Sequence, residues 1–202
     1  MKTESVVYAV AGVLFGVIVG WIIGSQQAPS AVRPPVQQQA EAPPEQAPIN
    51  ETAPPQVVLD ETKAKALENV AEKDPKNVAA RTQLGNMYYD AGRFADAVKW
   101  YEQSFALNSK DVDVSTDLAI SYYYNKDTDK ALDQLQKSLA INPAHAKTLL
   151  NVGVIRAFGK QDLKGATEAW QKLVEVAPQS PEAQQAKQAL DSLSSAHKSI
   201  PQ

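Results

Sequence analysis

An all-α solenoid of stacked helical pairs is the fold this sequence predicts, and three observations predict it. First, the chain repeats itself between Val78 and Pro178 with a period of about 34 residues. Leu84, Gly85 and Tyr88 recur as Leu118, Ala119 and Tyr122, and the same frame carries Ala97, Tyr101 and Asn108 onto Ala131, Leu135 and Asn142. A third copy places Val152 and Gly153 on the Leu-Gly pair and then, after one extra residue in the turn, Ala166, Trp170 and Pro178 on the later marks. Second, no strand-like alternation is sustained, and the glycines fall at helix junctions or in the first segment. Third, each copy holds two helical stretches with a small residue on each, the pattern two closely crossing helices require.

In each unit Gly85, Ala119 and Gly153 on the first helix are expected to face Ala97, Ala131 and Ala166 on the second. Tyr101, Leu135 and Trp170 are bulky because one helical pair cannot bury its apolar stripe alone and must fill the gap to the next. Pro143 and Pro178 end the second helices, since proline lacks the amide a continuing helix needs; Ser109 stands there in the first copy. With these marks in register three times, the stretch resembles the tetratricopeptide repeat (TPR). The predicted units are 78–109, 112–143 and 146–178, a short TPR-like solenoid of three helix pairs flanked by capping helices.

The rest of the chain differs in composition. With 202 residues and a net charge of −3 there is room for one modest domain, and the charge predicts no nucleic-acid partner. The absence of cysteine excludes disulfides, thiolate catalysis and iron–sulfur ligation. Residues 1–5 form a short tail, and Val6 to Gly24 is almost wholly apolar. About 19 residues at ~1.5 Å each give ~28 Å, the thickness of a bilayer's hydrocarbon core, so 6–24 is expected to be a transmembrane helix. The apolar stretch is longer than a signal peptide's and no good small-x-small cleavage site follows it, which points to an uncleaved anchor. Gly12, Gly16, Gly20 and Gly24, four apart, line one helical face where a second copy or another membrane helix could pack closely. The five-residue tail favours the cytoplasmic side, which puts the repeats in the periplasm of a bacterium, behind a single-pass inner-membrane anchor.

Residues 25–56 turn to Pro, Gln and Ala and hold eight of the thirteen prolines, the composition of a disordered linker. Residues 57–75 read as the second half of a repeat that caps the amino end, an amphipathic helix over Val57 to Lys73 with Leu59, Ala66, Leu67 and Val70 as its apolar face, ended by Asp74-Pro75. Asp111 and Asp127 are expected N-caps. Ser180-Pro181-Glu182 opens a carboxy-terminal capping helix over 181–195, with Ala183, Ala186, Leu190 and Leu193 apolar, before a polar tail at 196–202.

Chemistry is nearly absent. His145 and His197 lie far apart beside helix ends. Asn125, Asp127 and Asp129 imitate the start of a calcium loop, but Lys130 and Gln136 replace its glycine and closing glutamate. No catalytic, metal or cofactor site is assigned, and no enzymatic activity is expected. The TPR resemblance instead implies a concave groove lined by the first helices, at Ala79, Thr82, Asn86 and Tyr89, at Asp113, Thr116, Ile120 and Tyr123, and at Lys147, Leu150, Val154 and Ala157. Family members that clamp a terminal carboxylate use lysine, asparagine and arginine where this chain has Thr82, Asn86, Asp117, Lys147 and Asn151. Only two of those five match, so an extended or helical apolar segment is the expected ligand. The function implied is a membrane-anchored scaffold that binds protein or peptide partners and supports complex assembly. The alternative is a factor similar to the anchored TPR subunits of bacterial cytochrome c biogenesis, which hold apocytochrome for haem attachment.

Overall fold

The computed structural model describes residues 57–198, and among them the chain forms eight α-helices and no strand. The predicted membrane span at 6–24 and its glycines Gly12, Gly16, Gly20 and Gly24, like the linker at 25–56, lie outside the described residues. No helix among the described residues is long and apolar enough to cross a membrane. In chain order the helices are α1 (Glu61–Lys73), α2 (Val78–Asp90), α3 (Phe94–Leu107), α4 (Val112–Tyr124), α5 (Thr128–Ile141), α6 (Ala146–Val154, continued by a π turn over Ile155–Gly159), α7 (Leu163–Val176) and α8 (Pro181–Lys198). They stack as three pairs, α2 with α3, α4 with α5 and α6 with α7, between a lone helix at each end.

The connections are as periodic as the helices. Segments 108–111 and 142–145 join the pairs, segments 74–77 and 177–180 join them to the end helices, and each ends on the residue immediately before the next helix. Asn77, Asp111 and Ser180 accept from the amides of Ala80, Val114 and Ala183 at 2.9–3.0 Å, satisfying donors that a helix start leaves free. Within a pair the link spans 91–93, 125–127 or 160–162. Its middle residue has left-handed backbone each time, at Gly92 (φ 70°), Lys126 (φ 70°) and Gln161 (φ 56°). In the first two pairs this is a Schellman stop: the Arg93 amide reaches Tyr88 O and the Asp127 amide reaches Tyr122 O, five residues back.

In the third pair the Asp162 amide reaches Arg156 O, six residues back. The extra residue of the third copy therefore sits inside its first helix, as the π turn, and the interhelical link keeps its length. One inserted residue in a helix is commonly absorbed in this way. The widened turn brings Gly159 against the preceding pair, where a Cβ would lie 2.7 Å from Thr128 and 3.0 Å from Tyr123.

The small residues on the first helices make room for rings. A Cβ on Gly85 would lie 2.6 Å from the Tyr101 ring, and one on Gly153 would lie 2.1 Å from Trp170 Nε1. The atoms nearest a Cβ at these glycines are thus those of the bulky residues one turn beyond Ala97 and Ala166. Tyr101 and Trp170 are enclosed, at 2% and 0% exposure, in clusters that extend to the next pair and to α8 respectively. Where the first helix carries Ala119, the second carries the smaller Leu135.

The amino-terminal cap differs in detail from the pattern. α1 begins at Glu61, because the Asp60 side chain caps the Lys63 amide, and Val57 and Val58 before it are exposed. Its buried face is Ala64 and Ala71 with Leu67 half covered, whereas Ala66 and Val70 point to solvent. The buried Arg81 of α2 holds α1 in place: its guanidinium donates to the carbonyls of Ala71 and Asp74 at the end of α1, at 2.9 and 3.2 Å, and to that of Asn77 before α2 at 2.9 Å. At the far end Ala183, Ala186 and Ala189 bury against α7, and α8 runs on to Lys198 rather than stopping at 195.

Candidate functional site

The first helices α2, α4 and α6 lie side by side, and contacts between them define the candidate face. Lys147 Nζ of α6 meets Asp117 Oδ1 of α4 at 2.5 Å, and Thr148 Oγ1 of α6 meets Thr116 Oγ1 of α4 at 2.7 Å. Tyr89 at the end of α2 packs edge-on to Tyr124 at the end of α4, with ring centroids 6.0 Å apart.

Nine of the twelve predicted groove residues keep exposed or partly exposed surface: Ala79, Thr82, Asn86, Tyr89, Asp113, Ile120, Tyr123, Lys147 and Val154. The other three are corrections. Thr116 is fully enclosed: its hydroxyl donates to Val112 O at 2.7 Å and is bound on its other side by Thr148. Leu150 packs in the core with Trp170 and Leu173, its carbonyl accepting from Trp170 Nε1 at 3.2 Å. Ala157 is 2% exposed because the π turn carries it inward. A strict 34-residue frame gives each of these a groove position, but Thr116 is drawn into the contact between neighbouring first helices and Leu150 and Ala157 into the core around Trp170.

The polar side chains of this face are committed to one another. Tyr101 O–H donates to Asn86 Oδ1 at 2.6 Å, and Thr82 Oγ1 meets Ser104 Oγ at 2.6 Å. Asn151 Nδ2 turns back to Lys147 O at 2.8 Å. His145, the residue before α6, has Nδ1 2.7 Å from Thr148 Oγ1 and Nε2 3.3 Å from Asp113. Desolvation raises the pKa of Asp117, with Lys147 opposing that rise. Burial likewise raises the hydroxyl pKa values of Tyr89, Tyr101, Tyr123 and Tyr124, so these remain neutral donors. The lysine that could have received a ligand carboxylate is already neutralised by Asp117, which leaves a face of rings, amides and hydroxyls.

Two features escaped the sequence pattern. Phe94 and Tyr124 stack with centroids 4.9 Å apart at an interplanar angle of 20°, and Tyr89 meets both edge-on. Tyr124 is 41% exposed, so the three rings form a platform spanning two repeats. The run Tyr122-Tyr123-Tyr124 was its only signal. The second is a bond between pairs repeated at one period: Tyr88 O–H donates to Glu68 at 2.8 Å, and Tyr122 O–H donates to Glu102. Burial and the Glu68 bond push the Tyr88 hydroxyl up to about 12. The calcium-like trio serves the turn: Asn125 ends α4, Asp127 caps α5 and Asp129 pairs with Lys160 at 2.5 Å.

A solenoid of helical pairs with first helices lining one face defines a class of repeat proteins, and comparison with known proteins names it. The tetratricopeptide repeat pattern matches residues 78–144. The photosystem I assembly protein Ycf3 from a strain of Prochlorococcus marinus is 34% identical over 124 residues, which is 50% of this chain and 72% of that protein. The chain belongs to the tetratricopeptide-repeat family. The BBSome complex member BBS4 of Bos taurus is 34% identical over 100 residues, 50% of this chain but only 19% of that much longer protein. Among solved structures the fold is similar to MamA, with a TM-score of 0.55 at 19% identity covering 67% of this chain and 86% of that one. It is also similar to a tetratricopeptide repeat protein from Parabacteroides merdae, at 0.57 and 23% identity over 67% and 54%. The first TPR of Spaghetti (RPAP3), bound to an HSP90 peptide, superposes at 0.50 and 23% identity over 70% and 98%.

Proposed function

We propose that this chain is a scaffold that holds a protein partner on the face built by α2, α4 and α6 and supports the assembly of a complex. The observation that carries this is the division of labour among the side chains. Large apolar groups of the second helices are enclosed, while Asn86, Tyr89, Asp113, Ile120, Tyr123, Lys147 and Val154 keep surface on one face across all three pairs. The printed roles of two relatives agree with it, since Ycf3 is an assembly protein and the RPAP3 repeat domain was solved with a peptide. With Lys147 neutralised by Asp117, the partner segment is neutral or apolar rather than one presenting a free carboxylate.

The apolar stretch 6–24 supports a single-pass anchor in a bacterial inner membrane, with Gly12, Gly16, Gly20 and Gly24 as its packing face and the repeats on the periplasmic side of the linker. No residue of the face selects a haem-bearing substrate, so assembly in general is better supported than apocytochrome handling. Photocrosslinking tests the proposal: a benzophenone side chain in place of Asn86 should trap a discrete protein in native membranes, and one in place of the exposed Gln136 on α5 should not. Equal trapping from both positions would move the functional surface elsewhere.

A further inference from the structure

We infer that the ring platform of Tyr89, Phe94 and Tyr124 docks the chain's own proline-rich segment, the residues from Pro43 to Pro55. Four observations point to that occupant. The segment carries paired prolines at Pro43-Pro44 and Pro54-Pro55 and a further Pro48, and holds no bulky apolar side chain other than Ile49. Proline-rich stretches favour the extended polyproline conformation, whose preset backbone docks on aromatic-lined surfaces at small entropic cost. The platform offers such a surface, three rings from three helices with Tyr124 41% exposed. The Tyr89 and Tyr124 hydroxyls hydrogen-bond to each other, which leaves the pair one O–H donor for the carbonyls that proline leaves free.

The remaining observation is where the segment enters the described fold. The start of α1 is tied to the far end of the first repeat's link, Glu61 Oε1 lying 3.4 Å from Arg93 Nη1. Arg93 immediately precedes Phe94, the central ring of the platform. The chain preceding α1 therefore emerges at the same edge of the stack as the rings. Five residues separate Pro55 from Glu61, and at roughly 3.3–3.6 Å per residue they reach about 20 Å, enough to lay the nearest proline pair on the platform. Exposed Val57 and Val58 lie on that path. A tether this short gives a local concentration of order millimolar, so even a weak contact is populated. Docking of this kind does not depend on a partner in the groove.

The absence of cysteine allows a direct test on the full 202-residue chain in detergent micelles. Nitroxide labels on Thr52→Cys and Asn125→Cys should give one narrow distance population by pulsed electron resonance. That population should be lost with Tyr124→Ala and equally with Pro54→Ser/Pro55→Ser, a change outside the helical array that leaves its folding intact. A broad distribution indifferent to both variants would overturn the inference. So would coupling between chains labelled only at Thr52→Cys or only at Asn125→Cys, which would make a second copy the occupant. Partner crosslinking at Asn86 can succeed or fail independently of this distance.

Discussion

Exchanging the packing code between repeats gives the most demanding test of how the solenoid is held together. Gly153 admits the Trp170 indole so closely that a Cβ would lie 2.1 Å from Nε1 and 2.5 Å from two ring carbons, and Trp170 is fully enclosed. Gly153→Ala must push the indole off its rotamer or separate α6 from α7, which at the upper end of overpacking costs about 3 kcal/mol. Trp170→Leu leaves a cavity and frees the Leu150 carbonyl from its indole donor, for about 2–3 kcal/mol. Together the two changes recreate the Ala119–Leu135 pairing of the middle repeat, so the double variant should recover about 2 kcal/mol of the summed loss. Urea denaturation followed by helical circular dichroism on the four members of the cycle measures that coupling. Additive losses would refute the view that the glycine exists to receive the ring.

Three further outcomes follow from the same structure. Lys126→Gly and Gln161→Gly should each stabilise by about 0.5–1 kcal/mol, because left-handed backbone penalises a Cβ by more than glycine's extra entropy costs, and thermal melts of each variant check it. Arg81→Leu should cost about 2–3 kcal/mol and speed amide exchange chiefly in α1, since three carbonyls lose their charged donor. Asp117 has a raised folded pKa, so its contribution is most favourable below the unfolded carboxyl range and is lost as pH rises through the folded value; Asp117→Asn should therefore stabilise at pH 7, with the gain vanishing on acidification. A melting difference that grew toward low pH would reverse the assigned cause.

The helical pairs were legible because their marks are steric: small residues, rings and turn residues recur at fixed spacing, and Leu84, Leu118 and Val152 all end up buried. Three features were not, each for a physical reason. A single inserted residue can lengthen a turn or widen a helix, and nothing local in Ile155–Gly159 distinguishes the two until Gly159 is seen against Tyr123 and Thr128. The start of α1 depended on whether Asp60 would cap, and its buried face turned from Ala66 and Val70 to Ala64 and Ala71, because alanines stand on both faces. On the groove face, Thr116 and Leu150 have the period of surface residues, but Thr116 is enclosed by the contact of α4 with α6 and Leu150 by Trp170 and Leu173 of α7, contacts that the pattern of one helix does not encode.

The central claim, that a partner is held on the face of the first helices, is tested most directly by titrating the protein trapped from Asn86 against variants of known packing. Asn86→Ala, Tyr89→Ala and Ile120→Ala should each weaken binding five- to thirty-fold, about 1–2 kcal/mol, while Glu168→Ala on the exposed side of α7 should not change it. Leu150→Ala should instead lower the melting temperature, as loss of a core side chain does. Unchanged affinity in all three face variants, with their melts intact, would contradict the assignment of this face as the binding surface.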